Sequence, residues 1–197
     1  TDDQVRQLCL DGELVAMMAP GTSLVLHTTG SPRTAQMIAS KHPHVEVIDA
    51  PVSGGPHDIA AGTVTLFVGG DDAALDRTQP VLASYGDPIL RAGPTGAGQL
   101  VKLVNNTLFA AQIALVAEGV RLGSRLGVDE AALLDALVHG SAQSRVLSMV
   151  AGAGSAEKFV SAVGEFITKD VTVVRDTVAG LGGDLGELDR LVRMVST

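Results

Sequence analysis

Apolar residues follow two different patterns along this chain, and the change falls near Gly93. Before it, short apolar runs bounded by turn residues alternate with amphipathic stretches. Residues 22–27 (TSLVLH), 44–49 (HVEVID), 62–70 (GTVTLFVGG) and 88–90 read as strands. Residues 3–18 read as an amphipathic helix ended by Pro20-Gly21. Ser31-Pro32 supplies an N-cap and a first-turn proline for a helix running to Lys41. Residues 50–55 read as a loop. Asp71 or Asp72 caps a helix over 73–84, with Pro80 an obstacle in its middle. Helix, strand, helix, strand predicts a parallel α/β sheet.

After Gly93 the strand pattern stops. A run without Pro or Gly from Gln99 to Glu118 predicts one helix over 98–125, roughly 40 Å long at 1.5 Å per residue. Further helical patterns follow at 129–139, 142–151, 163–179 and 185–194. The expected fold class is α/β followed by all-α. A partial Rossmann-type sheet (residues 1–92) is joined by the long helix to a helical domain (residues 93–197). Lys102 and Asn106, four residues apart, share a face of that helix. A lysine among Leu100, Val101, Leu103 and Val104 loses its charge more easily and could exchange protons near neutral pH. The same pair could equally be ordinary solvated residues.

Composition narrows the classes. Hydrophobic residues make up 46% of the 197 and aromatics only 3%, so the core is packed with Ala, Val and Leu. A net charge of −8 without a basic cluster argues against nucleic acid or an anionic membrane as partner. No apolar run reaches membrane-spanning length, and the first residues are neither a signal nor a transit peptide. The single cysteine, Cys9, reads as a small core residue. It cannot form an internal disulfide, which suits a reducing compartment, the cytoplasm. His42 and His44 are too close and too isolated to suggest a metal site, and no metal is expected.

Three loops carry candidate chemistry. Asp49-Ala-Pro-Val-Ser-Gly-Gly55 follows a strand, where ligands of open α/β sheets bind. Its adjacent glycines can aim backbone N–H groups at one anion, with the Ser53 hydroxyl beside them; it could also be a plain Gly-Gly turn. Thr28 and Thr29 end the previous strand beside the same crevice. Gly93-Pro-Thr-Gly-Ala-Gly98 has the spacing G-x-x-G-x-G, and no G-x-G-x-x-G occurs in the chain. It therefore reads as a close approach of the helix start to a backbone or ligand rather than a phosphate loop. Lys169-Asp170, in a helical run, reads by itself as a surface charge pair.

Together these motifs resemble the β-hydroxyacid dehydrogenase family, the relatives of 3-hydroxyisobutyrate dehydrogenase and tartronate semialdehyde reductase. The D-A-P-V-S-G-G loop, G-x-x-G-x-G-x-x-x-K-x-x-x-N from Gly93 to Asn106, Lys169-Asp170 and Thr29 before Ser31-Pro32 stand in the family's order. The K-L-V-N-N form is closer to these small-acid enzymes than to 6-phosphogluconate dehydrogenases. The resemblance implies an NAD(P)-dependent oxidoreductase acting on a small 3-hydroxy acid. Lys102 and Asn106 would be catalytic, and Ser53, Gly54 and Gly55 would hold a small carboxylate substrate. Thr29 and Lys169 would contact NAD or NADP, and a homodimer or homotetramer would form through the helical domain. Three departures stand out, one of them that the C-terminal helices stop early. The family's N-terminal half with its glycine fingerprint is missing from the sequence, an expected roughly 60–80 residues. His27 also stands where many relatives carry Asp. Imine reductase-like chemistry and a non-catalytic binding or dimerisation module are the alternatives; retention of Lys102 disfavours the first.

Overall fold

The computed structural model describes residues 1–195. It divides into two compact units, Thr1–Val104 and Asn105–Thr197, and the division falls inside the longest helix. The first unit holds a five-stranded sheet. Strand β1 (Ser23–Leu26) pairs parallel with β2 (Glu46–Asp49), across the helix α2 (Pro32–Lys41) that Ser31 caps. The expected all-parallel sheet stops there. After β2 the chain bends at Ala50-Pro51 into a two-residue strand, β3 (Val52–Ser53), which pairs antiparallel with β4 (Val64–Gly69), as does Asp49. The reason is length: the ten residues between Ser53 and Val64 hold only one helical turn, α3 (Pro56–Ala60), too little for a parallel crossover. From β4 to β5 (Gly86–Gly93) the connection carries the full helix α4 (Asp72–Leu82), and that pair is parallel again.

Two further expectations shift. Residues 3–18 do not form one helix. Helix α1 (Asp2–Arg6) continues only as a π-helical turn, Gln7–Asp11, because Gly12 adopts an extended conformation (ψ 179°) and stops it. Helix α4 runs through Pro80 and ends two residues later, with Asp71 as its N-cap. Cys9 is buried in a small apolar cluster with Leu10, Val15 and Ile38.

The long helix, α5 (Ala97–Arg125), has 29 residues. Its start is pressed against the sheet: a Cβ on Gly98 would run into the backbone oxygens of Phe67 and Asp49. Gly98→Ala is therefore expected to destabilise the protein by about 1–3 kcal/mol, the usual cost of overpacking, because neither backbone can give way cheaply. Chemical denaturation of parent and variant measures this, and an unchanged midpoint would refute it.

In the second unit, Ala110, Ile113 and Ala114 of α5 recur at helical spacing. They pack in one core with residues of α6 (Glu130–Leu137), α7 (Arg145–Ala153), α8 (Ala156–Gly180) and α9 (Leu188–Arg193). Asp129, Ser144 and Ser155 cap α6, α7 and α8. The Ser155 cap starts α8 seven residues before the expected 163. By length and mean hydropathy (1.5) α5 is the one helix among the described residues that could cross a bilayer, a match the sequence reading did not foresee. Its face inside the helical core marks it as a core helix.

Candidate functional site

At the carboxyl end of β2, Asp49 is fully buried. Its Oδ1 accepts from Gly96 N–H at 2.5 Å and its Oδ2 from Gln99 N–H at 2.8 Å. The carboxyl group that occupies the N-terminus of α5 thus belongs to the protein itself. Burial pushes the Asp49 carboxyl above the ordinary aspartate range, and the N–H donors of Gly96 and Gln99 pull against that rise. Gly98 serves this close approach, as the spacing suggested, since a Cβ there would meet the backbone and carboxylate oxygens of Asp49; Gly96, at φ +97°, faces Pro32 and Gln36 instead.

Gln99 is buried as well. Its Nε2 donates to the Thr28 carbonyl at 2.8 Å, and its Oε1 accepts from Gly30 N–H at 2.9 Å. One side chain therefore pins both flanks of Thr29, fixing the loop after β1 to the start of α5. His27 is held on both nitrogens: Nδ1 lies 2.7 Å from the Ala50 carbonyl and Nε2 lies 2.9 Å from the Tyr85 hydroxyl. A carbonyl only accepts, so Nδ1 carries the proton, and in the neutral ring Nε2 accepts from Tyr85. Burial raises the Tyr85 phenol above its ordinary pKa.

Ser53 ends β3, and Gly54 and Gly55 follow it. Gly54 has φ +151°, and a Cβ there would meet Asp58 and Val64 at 3.0–3.2 Å. The Gly55 N–H donates to Asp58 Oδ2 at 2.7 Å. The chain's own carboxylate thus takes one donor of the expected anion nest.

In the helical unit Asn106 is 6% exposed. Its Nδ2 donates to Asp170 Oδ2 at 3.0 Å, and its Oδ1 accepts from Asn105 Nδ2 at 3.3 Å. The charge pair read from sequence therefore separates: Lys169 is exposed, while Asp170 turns inward to orient the asparagine. Lys102, half-buried, lies one turn before Asn106 on the same continuous helix. Among the described residues no group of three or more His, Cys, Asp or Glu could hold a metal ion.

Asp49, Gln99, Asp58 and Asp170 were not singled out in the sequence as site-shaping residues. For Asp49 a signal existed: a carboxylate ending an apolar strand must find donors. The Gln99 side-chain bonds and the Asn106–Asp170 bond span 64 or more residues, and no local pattern announces them.

Comparison with known proteins follows the same lines. Residues 1–93 match the family model for the NAD binding domain of 6-phosphogluconate dehydrogenase. Residues 96–194 match that for the NAD-binding region of NADP-dependent 3-hydroxyisobutyrate dehydrogenase. An NAD-dependent L-serine dehydrogenase of Pseudomonas aeruginosa is 39% identical over 140 residues, 70% of this chain and 47% of that protein. A 3-hydroxyisobutyrate dehydrogenase of the same organism is 36% identical over 141 residues, 71% of this chain and 47% of that protein. The chain spans about half the length of the curated relatives it matches. Among solved structures, Mycobacterium tuberculosis 3-hydroxyisobutyrate dehydrogenase with L-serine superposes with a TM-score of 0.85 at 26% identity. That match covers 99% of this chain and 70% of the other.

Proposed function

The chain belongs to the β-hydroxyacid dehydrogenase family, and we propose that it carries the substrate loop and the proton-transfer group of an NAD(P)-dependent 3-hydroxy acid dehydrogenase. The observation that carries this reading is a buried asparagine, fixed by Asp170, one helical turn from a half-buried lysine. Such an arrangement costs conformational freedom and is of little use to a merely solvated helix face.

Lys102, in its neutral form, takes the proton of the substrate's 3-hydroxyl. The C–H bond on the same carbon breaks and the hydroxyl carbon becomes a carbonyl. A nicotinamide cofactor, when bound, would supply the acceptor for the hydride that leaves this carbon. In the reverse direction Lys102 returns the proton. Asn106 holds a fixed orientation beside it along α5. Thr29, pinned by Gln99 on either side, and Lys169 are the residues that would hold the cofactor. The Ser53 hydroxyl and the Gly54 N–H bind the substrate carboxylate. The net charge of −8 repels such a substrate at long range, so recognition rests on these local donors.

L-serine and 3-hydroxyisobutyrate, named for two relatives, share a carboxylate and a 3-hydroxyl. That shared part is the proposed substrate class. The test is oxidation of both acids by the full-length protein with NAD and with NADP; no turnover of either with either cofactor would sink the reading. For the loop, Ser53→Ala is expected to raise KM about tenfold at nearly constant kcat, the worth of one hydrogen bond to a charged group. Gly54 is the poorer probe, because any side chain there is strained by its φ. An unchanged KM in Ser53→Ala would remove the loop from the site.

A further inference from the structure

The ladder between β1 and β2 reaches one residue past both strands: the Ala50 N–H donates to the Leu26 carbonyl at 2.8 Å. The Ala50 carbonyl is the next acceptor along that edge, but β1 ends at Leu26. Ala50 is fully buried, and a buried carbonyl needs a donor. The His27 side chain supplies one, with Nδ1 at 2.7 Å from the Ala50 oxygen. A side chain here does what a backbone amide does elsewhere in the sheet.

Only the tautomer protonated on Nδ1 can donate to that carbonyl. The Tyr85 hydroxyl, 2.9 Å from Nε2, favours it from the far side of the ring. Burial raises the pKa of the phenol, which keeps it a donor. Tyr85 is itself held in place. It precedes β5, its N–H donates to the Leu82 carbonyl at 3.3 Å, and its ring packs on the cluster of Ile48, Ala50 and Leu66. The two rings meet edge to face, with centroids 5.5 Å apart.

The chain from Asp49 to Ser53 is thus fixed residue by residue. Asp49 is held by the N–H groups of Gly96 and Gln99. Pro51 gives its carbonyl to the Phe67 N–H at 3.1 Å, and Ser53 pairs with Thr65 of β4. At Ala50 the carbonyl is held by the imidazole. An ionised aspartate in place of His27 would set one acceptor against another there.

We propose that His27 is a positioning residue for substrate binding: with Tyr85 it fixes Ala50, and so the angle at which the Ser53 hydroxyl and the Gly54 N–H meet the substrate carboxylate. This rests on the reading of that loop as the carboxylate site. The test uses the full-length protein with L-serine and 3-hydroxyisobutyrate, and two substitutions of one shape and opposite hydrogen bonding. The Asn Nδ2 stands where the histidine Nδ1 stands and donates; Asp has the same outline and, when ionised, only accepts. His27→Asp is expected to raise KM for the acid about tenfold, with kcat and the cofactor KM changed less than about threefold. His27→Asn is expected to stay within about threefold of the parent in all of these. Tyr85→Phe is expected to raise KM about threefold in the parent and to change nothing in His27→Asn, whose side chain is too short to reach residue 85. NMR of the imidazole nitrogens is expected to show the His27 proton on Nδ1. Should His27→Asp not fold, the cycle of Tyr85→Phe with His27→Asn still decides. Equal KM in His27→Asp and His27→Asn, a Tyr85→Phe effect of one size in both backgrounds, or a proton on Nε2 would overturn the proposal. So would a lowered melting temperature with KM unmoved, which marks a merely structural residue. Ser53→Ala separates this outcome from the reading beneath it. If that variant raises KM and His27→Asp does not, only the role of His27 falls; if Ser53→Ala leaves KM unchanged, the loop falls and His27 with it.

Discussion

Lys102→Ala in the full-length protein is expected to lower turnover by about 10²–10⁴-fold, the usual worth of a positioned acid–base group. The measured quantity is kcat with saturating 3-hydroxy acid and nicotinamide cofactor. Stability should move far less than turnover, because the truncated side chain is half-buried and lies outside the packed core. Lys102→Arg is expected to fail as a rescue, since a guanidinium stays protonated and cannot accept the hydroxyl proton. Asn106→Ala should cost less than Lys102→Ala in turnover but more in stability. It removes a hydrogen-bond donor to a half-buried aspartate, Asp170, on the neighbouring helix α8. The two variants therefore separate chemistry from scaffold. A loss below about threefold for Lys102→Ala, roughly 0.65 kcal/mol on the barrier, would end the catalytic assignment.

That contrast reflects what the sequence exposes. Lys102 and Asn106 were legible because their relation is local: four residues apart on a helix whose period is plain. Ser31-Pro32 and Asp71 were legible for the same reason, since a cap and its helix are neighbours in sequence. The antiparallel turn of β3 onto β4 was not, although the shortness of the segment between Ser53 and Val64 contained it. A short β-branched run reads alike in parallel and antiparallel pairings. The break at Gly12 was read through, because one glycine lowers helix stability only modestly and packing decides. Asp170 lay in plain view beside Lys169, yet its role depends on where α8 passes α5, a long-range fact. The Ser53–Gly55 loop was legible as a loop, but the Asp58 carboxylate on Gly55 was not, because one aspartate accepting from the N-cap N–H of a single-turn helix leaves little pattern.

Asp49 carries the largest expected effect on stability. Asp49→Ala would strand two buried N–H groups, those of Gly96 and Gln99, each at about 1–3 kcal/mol. The expected total is about 2–5 kcal/mol, a large share of the 5–15 kcal/mol typical of a whole protein. Asp49→Asn keeps one acceptor and should lose less. The pH dependence of the Asn comparison has a definite sign. The folded pKa of Asp49 is raised above the unfolded value of about 3.9, chiefly by burial, so folding favours the protonated acid. The stability this adds is complete below the unfolded pKa and is lost as pH rises through the folded one. The parent's margin over Asp49→Asn should therefore be widest in acid and narrow toward neutral pH. Urea unfolding of both proteins across that window measures it. A margin that widens with pH would mean that the N–H donors outweigh burial, and that the N-terminus of α5 holds its carboxylate as a favourable ion pair with the helix dipole rather than at a cost.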